Sequence, residues 1–198
     1  MRNPHMKFFT PKYAEELRKK VSLKVTELLD EIAPLGKCNL VDSISSELPI
    51  FSLSEILGVP EEDRSKIKEW MTFLEMAQVV GATQAAAKNN IELNKDQQAS
   101  APDPAMIAMF TNIVKEMFDY GREILLKRRK DPKDDLLSVI ANMEIEGKKL
   151  PDEYLDGSWL LIIIAGNETT RNSISGTIKL LTENPDQKEK LINHMELL

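Results

Sequence analysis

The chain has 198 residues, enough for one large or two small domains, and its 42% hydrophobic and 29% charged residues are ordinary for a soluble globular protein. Its net charge of −6 argues against broad non-specific binding to nucleic acid. The single cysteine, Cys38, excludes an internal disulfide and fits a reducing, cytoplasmic setting. The apolar run from Trp159 to Gly166 is far shorter than the roughly 20 residues of a membrane span. We therefore expect no membrane partner and no nucleic-acid partner.

The first predicted element is a long helix near the start of the chain. Thr10 followed by Pro11 is typical of an N-cap and a first helical position. Apolar residues then recur at helical spacing up to Ile32. Pro34 and Gly36 predict the end of this helix.

The next segments predict shorter helices and a connector. Residues 39–60 read as two short helices broken near Pro49, with Gly58 closing the second one. Residues 61–80 predict a further helix that has acidic residues in its first turn. The polar, weakly periodic residues 81–104 predict a connector, with room for one short helix.

The second half of the chain is also predicted to be helical. Its pattern predicts an amphipathic helix over 107–125 with a basic end at 127–130, a short helix over 134–143, a turn or small hairpin around Gly147, a helix over 152–182, and a last helix that begins near Asn184. An all-α fold follows, and we expect residues 1–198 to form part of a single domain.

The helix over 152–182 carries an unusual sequence in its middle, "WLLIIIAGNETTRNSISG". Residues 160–164 are apolar on every side, which predicts that protein surrounds the helix there. A glycine, a carboxylate and two threonines then interrupt the apolar pattern. A threonine in a helix can donate a hydrogen bond to the carbonyl four residues earlier, which is Ala165 for Thr169 and Gly166 for Thr170.

Two interpretations of this interruption remain open from the residue types alone. Glu168 could carry protons in a pocket, where the small Ala165 and Gly166 let a bulky or flat group approach the helix backbone. Alternatively the threonines are plain helix residues, and Glu168 forms an ion pair with Arg171 or with a cation on a neighbouring helix. A buried carboxylate requires a partner, a water chain or a raised pKa in either case.

The segment "AGNETT", Ala165 to Thr170, resembles the central-helix signature of cytochromes P450. The resemblance extends over residues 134–191, and "ILGVPEEDRSKIKEW" and "FFTPKYAEEL" resemble two earlier regions of the family in the same order. It implies an all-α chain that corresponds to the central part of the P450 fold. It is nearest to bacterial members that oxidise steroids and terpenes.

The resemblance also implies a role for each residue of the signature. Thr169 and Glu168 would be catalytic: the hydroxyl of Thr169 bonds oxygen at the haem iron, and Glu168 feeds it with protons. Ala165, Gly166 and Thr170 would lie against the haem. Leu161 and Ile162, together with Ala165 and Thr169, would line the substrate side of the pocket.

The resemblance implies a haem cofactor, a small lipophilic substrate and a ferredoxin-type electron donor for the whole enzyme. The family's axial cysteine follows the central helix, whereas Cys38 precedes it, so this chain supplies no metal ligand and would be inactive alone. The family's N-terminal sheet region and its haem-thiolate part have no counterpart here. Arg2 is a candidate propionate ligand, although Pro4 breaks that pattern.

Two other functions remain open. The chain could be a non-enzymatic helical protein that binds a lipophile or a partner, or a folding relic without activity. Residues 70–99 and 107–125 would form the roof over the substrate. The methionines at 71, 76, 106 and 109 suit an adaptable apolar lid, although such residues are more often plain core.

Overall fold

The computed structural model describes residues 4–88 and 104–197. The described residues contain these α-helices: α1 (Pro11–Ile32), α2 (Glu47–Leu57), α3 (Arg64–Lys88), α4 (Pro104–Lys130), α5 (Leu136–Ala141), α6 (Asp152–Glu183) and α7 (Pro185–Asn193). A small antiparallel hairpin, β1 (Glu144–Ile145) and β2 (Lys148–Lys149), lies between α5 and α6. Short 3-10 turns occupy Pro4–Phe9, Ala33–Leu35, Glu61–Asp63 and Met195–Leu197. The predicted all-α class is confirmed.

Both ends of α1 follow the predicted signals. The side-chain oxygen of Thr10 accepts a hydrogen bond from the backbone N–H of Tyr13 at 3.2 Å, as an N-cap does. The helix ends at Ile32 and passes through a 3-10 turn to Gly36. Gly36 adopts φ +67°, a left-handed conformation that glycine reaches without strain.

The two predicted segments are present, but the boundary between them lies three residues before Pro49. The π-helical turn at Val41–Ser45 ends at Ser46, and α2 begins at Glu47. Pro49 is the third residue of α2, in the first turn, where no backbone N–H has a partner within the helix. Proline is therefore compatible with that position and does not divide the segment.

The core is built where α6 crosses α2, α4 and the π-helical turn. Trp159 of α6 is 1% exposed, and its indole N–H donates to the carbonyl of Met117 on α4 at 3.0 Å. The ring of Tyr120 lies between Trp70 and Trp159, with centroid distances of 5.4 and 5.7 Å. Burial of its phenol, together with the hydrogen bond that it donates to Asp63, raises the pKa of Tyr120 far above its ordinary value.

A buried ion pair joins α2, α4 and α5. Arg128 of α4 contacts Asp135 at 2.6 Å, and both side chains are 7% exposed. The same guanidinium donates to the carbonyl of Gly58, the C-cap of α2, at 2.8 Å. Asp135 also caps α5 by accepting from the backbone N–H of Ser138 at 2.7 Å. The pair therefore fixes the junction from which α5 runs toward α6.

Some expectations concern residues that the structure describes only in part. The backbone of α3 extends to Lys88, so the beginning of the predicted connector is helical. The rest of that connector up to residue 103, and Arg2, lie outside the described residues. Of the four methionines, Met71 is buried, whereas Met76, Met106 and Met109 are 43–52% exposed.

Two sequence expectations concern exposure and membranes. Cys38 is a free cysteine and is exposed. Among the described residues, no helix is long and apolar enough to cross a membrane.

Candidate functional site on the central helix

Helix α6 has one buried face and one open face. The buried residues recur every four positions: Leu155, Trp159, Ile163 and Asn167. The open row is offset from them by two positions and contains Leu161, Ala165 and Thr169, all exposed. A shift of two residues is a rotation of about 200° around a helix of 3.6 residues per turn, so the two rows lie on opposite sides.

The expectation that protein surrounds residues 160–164 is wrong at Leu161, which is 68% exposed. Helices α2 and α4 and the π-helical turn cover α6 from one side, and Ile163 points into that contact. The opposite side stays open within the described part of the chain. The open row of Leu161, Ala165 and Thr169 is therefore an uncovered wall of apolar and small groups.

The predicted hydrogen bonds of the two threonines are confirmed. The hydroxyl of Thr169 donates to the carbonyl of Ala165 at 2.9 Å. The hydroxyl of Thr170 reaches the carbonyl of Gly166 at 3.5 Å, a long contact. Helix α6 runs without interruption through this turn, from Asp152 to Glu183. Both hydroxyl bonds therefore form within an unbroken helix, and Thr169 itself is exposed.

An apolar cavity of about 640 Å³ adjoins the open row. It lies between α2, α5 and α6, and its α6 lining consists of Leu161, Ile162, Ala165, Gly166 and Thr170. These are all of the residues predicted for cofactor and substrate contact except Thr169. Glu168 and Thr169 do not line the cavity, and they lie on the same turn of α6 beside it. The volume is within the range of small-molecule sites.

The structure assigns Gly166 a contact that the sequence did not predict. A Cβ at this position would lie 2.9 Å from the Cδ1 atom of Leu53 on α2. Gly166 therefore allows the close approach of α2 to α6. The space expected for a flat group is open beside Ala165. Beside Gly166, the Leu53 side chain occupies part of that space.

Glu168 does not form the ion pair that was considered for it. Its side chain is half-buried, and it has no hydrogen-bond or ion-pair partner among the described side chains. Arg171, three residues later, instead pairs with Glu75 of α3. Glu75 and Arg171 are separated by 96 positions, so no local pattern could have predicted this contact.

Sequence reasoning also missed Asn167. Its side chain is 1% exposed, and its Oδ1 atom has no hydrogen-bond partner among the described residues. The available signal was the spacing: Asn167 follows Ile163 by four positions and Trp159 by eight, which places it on the buried row. The buried amide of Asn167 therefore lies on the side of α6 opposite to Ala165 and Thr169.

The open row fits one wall of a haem pocket. A flat, largely apolar macrocycle could lie against Ala165 because that residue has only a methyl group, and Leu161 would cover its edge. The described residues contain no group of three His, Cys, Asp or Glu side chains that could hold a metal ion. The fit concerns the surface that would face the flat group.

These features define the class of protein: an all-α chain organised around one long helix that leaves one wall of an apolar site open. The model of the family described as cytochrome P450 matches residues 60–197. The chain therefore belongs to the cytochrome P450 family, as the signature at 165–170 predicted.

Relatives and solved structures agree with this assignment. Cytochrome P450 109 of Bacillus spizizenii is 31% identical over 175 residues, which are 88% of this chain and 39% of that protein. The steroid C26-monooxygenase of Rhodococcus jostii is 29% identical over 91% of this chain and 33% of that protein. The crystal structure of CYP109E1 from Bacillus megaterium in complex with testosterone matches with a TM-score of 0.74 and 31% identity.

The matches also show which part of the fold is present. The chain is covered completely by the CYP109E1 structure but spans only 48% of it. It spans about a third to two-fifths of the length of the curated relatives. The expectation of a central all-α part of the P450 fold is confirmed.

Proposed function

We propose that this chain forms the oxygen-side wall of a haem-thiolate monooxygenase. The reaction would insert one oxygen atom of O2 into a C–H bond of a lipophilic substrate such as a steroid, a terpene or a fatty-acid-like molecule. Two electrons and two protons reduce the other atom to water. The observation that carries this proposal is the open row of Leu161, Ala165 and Thr169 beside an apolar cavity.

The bound haem would supply the activation of O2, and the chain would supply position and protons. Ala165 offers the closest approach because its side chain ends at Cβ. Gly166 and Thr170 follow it along the cavity wall. Leu161 and Ile162 form the apolar part of that wall, which holds a lipophilic substrate by contact and excludes water.

Thr169 and Glu168 would deliver the protons. The hydroxyl of Thr169 is anchored by its bond to the Ala165 carbonyl, so the oxygen is held at a fixed position on the open side. Glu168 immediately precedes Thr169, and it has no cation partner among the described side chains, so no ion pair holds its carboxyl away from water. Transfer through a hydroxyl in this way is general acid catalysis.

The remaining parts of the enzyme would come from outside the chain. We do not expect Cys38 to be the axial thiolate, because it lies in the segment between α1 and α2 and is exposed. A ferredoxin-type protein would supply the electrons, and the reducing setting suggested by one cysteine is the cytoplasm. Without the thiolate part, this chain alone would be inactive.

A second candidate function has one observation in its favour. The cavity of about 640 Å³ exists without any haem part of the fold, so the chain alone could bind a lipophile as a non-enzymatic protein. Binding of a steroid to the isolated chain, with equal affinity in Thr169→Ala, would favour this alternative, because lipophile binding does not need the hydroxyl.

Replacing Thr169 with alanine is expected to uncouple oxygen reduction from hydroxylation. The test uses a chimera in which this chain replaces the matching segment of the Bacillus spizizenii relative. Loss of the hydroxyl removes the anchored proton donor, so most of the consumed reducing equivalents should appear as hydrogen peroxide. The measurement is the ratio of hydroxylated product to NADPH consumed, together with peroxide release.

Thr182 provides a matched control on the same helix. Its hydroxyl makes the same type of bond, to the carbonyl of Ile178 at 2.8 Å, and it is also exposed. Thr182→Ala should leave the product ratio unchanged. Equal coupling in the Thr169→Ala and Thr182→Ala chimeras would remove Thr169 from the mechanism.

A further inference from the structure

Arg171 has two possible carboxylate partners and binds only one of them. Glu168 precedes it by three positions on the continuous helix α6, and side chains at that spacing are neighbours on a helix surface. The structure nevertheless pairs Arg171 with Glu75 of α3, and the two side chains are only 18% and 23% exposed. Arg171 therefore pairs with a carboxylate on another helix, and not with the carboxylate of Glu168, which is nearer in sequence.

We propose that Glu75 is a positioning residue for Glu168: by holding Arg171, it keeps the Glu168 carboxyl without a cation and able to exchange protons. This inference rests on the proposed role of Glu168 as proton donor to Thr169. A carboxyl that is paired with a guanidinium is held in its charged form and has no proton to donate. The α3 residue therefore controls the reaction through Arg171, without touching the reacting atoms.

Three lysines of α3 and α6 already have carboxylate partners. Lys66 and Lys68 of α3 pair with Asp63 and Glu47. Lys179, two turns further along α6, lies 3.9 Å from Glu183. Arg171, three residues away on the same helix, is therefore the cation that we expect Glu168 to gain if Glu75 lost its charge.

The ion pair also ties two helices that have few other contacts. Helix α3 packs mainly on α2 and α4, whereas α6 packs on α2, α4 and the π-helical turn. Glu75 and Arg171 bridge α3 and α6 directly, and Arg171 lies two residues, about half a turn, beyond Thr169. The state of the Glu168 carboxyl is therefore linked to the position of α3.

The test measures the reactivity of individual carboxyl groups in the isolated 198-residue chain. A carbodiimide with glycine ethyl ester consumes the protonated form of a carboxyl group, and peptide mass spectrometry reports the rate at each residue. In Glu75→Gln, Arg171 should turn to Glu168 and slow its labelling by about two- to five-fold, the effect expected of a partly exposed ion pair. In Arg171→Gln, Glu168 should label as in the unmodified chain, and Glu75 should label faster.

The double variant Glu75→Gln with Arg171→Gln distinguishes this proposal from an ion pair that only holds α3 and α6 together. It should restore the labelling rate of Glu168 to that of the unmodified chain, because no cation is left to pair with it. Labelling of Glu183 should be equal in all four proteins. The proposal is overturned if Glu75→Gln leaves Glu168 unchanged, or if the double variant fails to restore its rate.

This experiment involves neither haem nor turnover, so its failure is distinct from failure of the proposed function. In the chimera, Glu75→Gln should lower turnover and leave substrate affinity unchanged, and the double variant should recover turnover. A loss of affinity in place of turnover would contradict the positioning role.

Discussion

Asp135→Ala is expected to lower the free energy of unfolding of the chain by about 4 kcal/mol. The substitution leaves the guanidinium of Arg128 buried without its carboxylate, and breaking a buried pair from one side costs about 3–5 kcal/mol. It also removes the cap of α5, because Asp135 accepts from the backbone N–H of Ser138. The measurement is the midpoint of urea unfolding followed by circular dichroism.

Two controls separate the buried charge from other effects. Glu15→Ala breaks the pair of Glu15 with Arg18, whose atoms lie 2.8 Å apart on the surface, and should scarcely move the midpoint. The double variant Arg128→Met with Asp135→Leu should recover part of the loss, because no charge is left unpaired. A midpoint for Asp135→Ala equal to that of Glu15→Ala would contradict the structural role of this junction.

Gly121→Ala is expected to destabilise the chain by about 2–3 kcal/mol. A Cβ at this position would lie 2.3 Å from the Cδ1 atom of Trp159, which is fully buried and cannot withdraw. Overpacking of a filled core costs about 1–3 kcal/mol, and displacement of the indole also weakens its bond to the Met117 carbonyl. The gain in helix propensity, about 1 kcal/mol, offsets only part of this.

Gly166→Ala is the matched control for this prediction. It places the same methyl group in another helix, 2.9 Å from the Cδ1 atom at the end of the Leu53 side chain, which borders the cavity and has room to move into it. A small movement of that leucine would relieve the contact, so the gain in helix propensity should leave stability unchanged or raised by up to about 1 kcal/mol. Similar losses for both alanines would show that the contact of Gly121 with Trp159 is not the cause.

Local signals predicted most of the helices. Thr10 and Pro11 define the start of α1 because capping depends on side chains within three residues of each other. Asp152 to Glu183 contains no proline, and the structure forms one helix there. The error at Pro49 arose because a proline breaks a helix only beyond the first turn, and the sequence did not show that α2 begins at Glu47.

The sequence predicted candidate site residues on α6 but not their surroundings. The hydroxyl bonds of Thr169 and Thr170 could be predicted because each joins residues of one helical turn. The exposure of Leu161 and the contact of Gly166 with Leu53 depend on which side of α6 the helix α2 covers. The partner of Arg171 depends on where α3 lies. Periodicity within α6 therefore predicts neither the contact of Gly166 with Leu53 nor the pairing of Arg171 with Glu75.

The most direct test of the central claim is the ferrous–CO spectrum of the chimera with the Bacillus spizizenii relative. If α6 forms the oxygen-side wall of a haem-thiolate site, the chimera should show the red-shifted band from which the family takes its name, because the relative supplies the thiolate. The isolated chain mixed with haem should not show it, since its one cysteine, Cys38, is exposed in the segment between α1 and α2 and does not line the cavity. A folded chimera without the band, or the band in the isolated chain, would contradict the account.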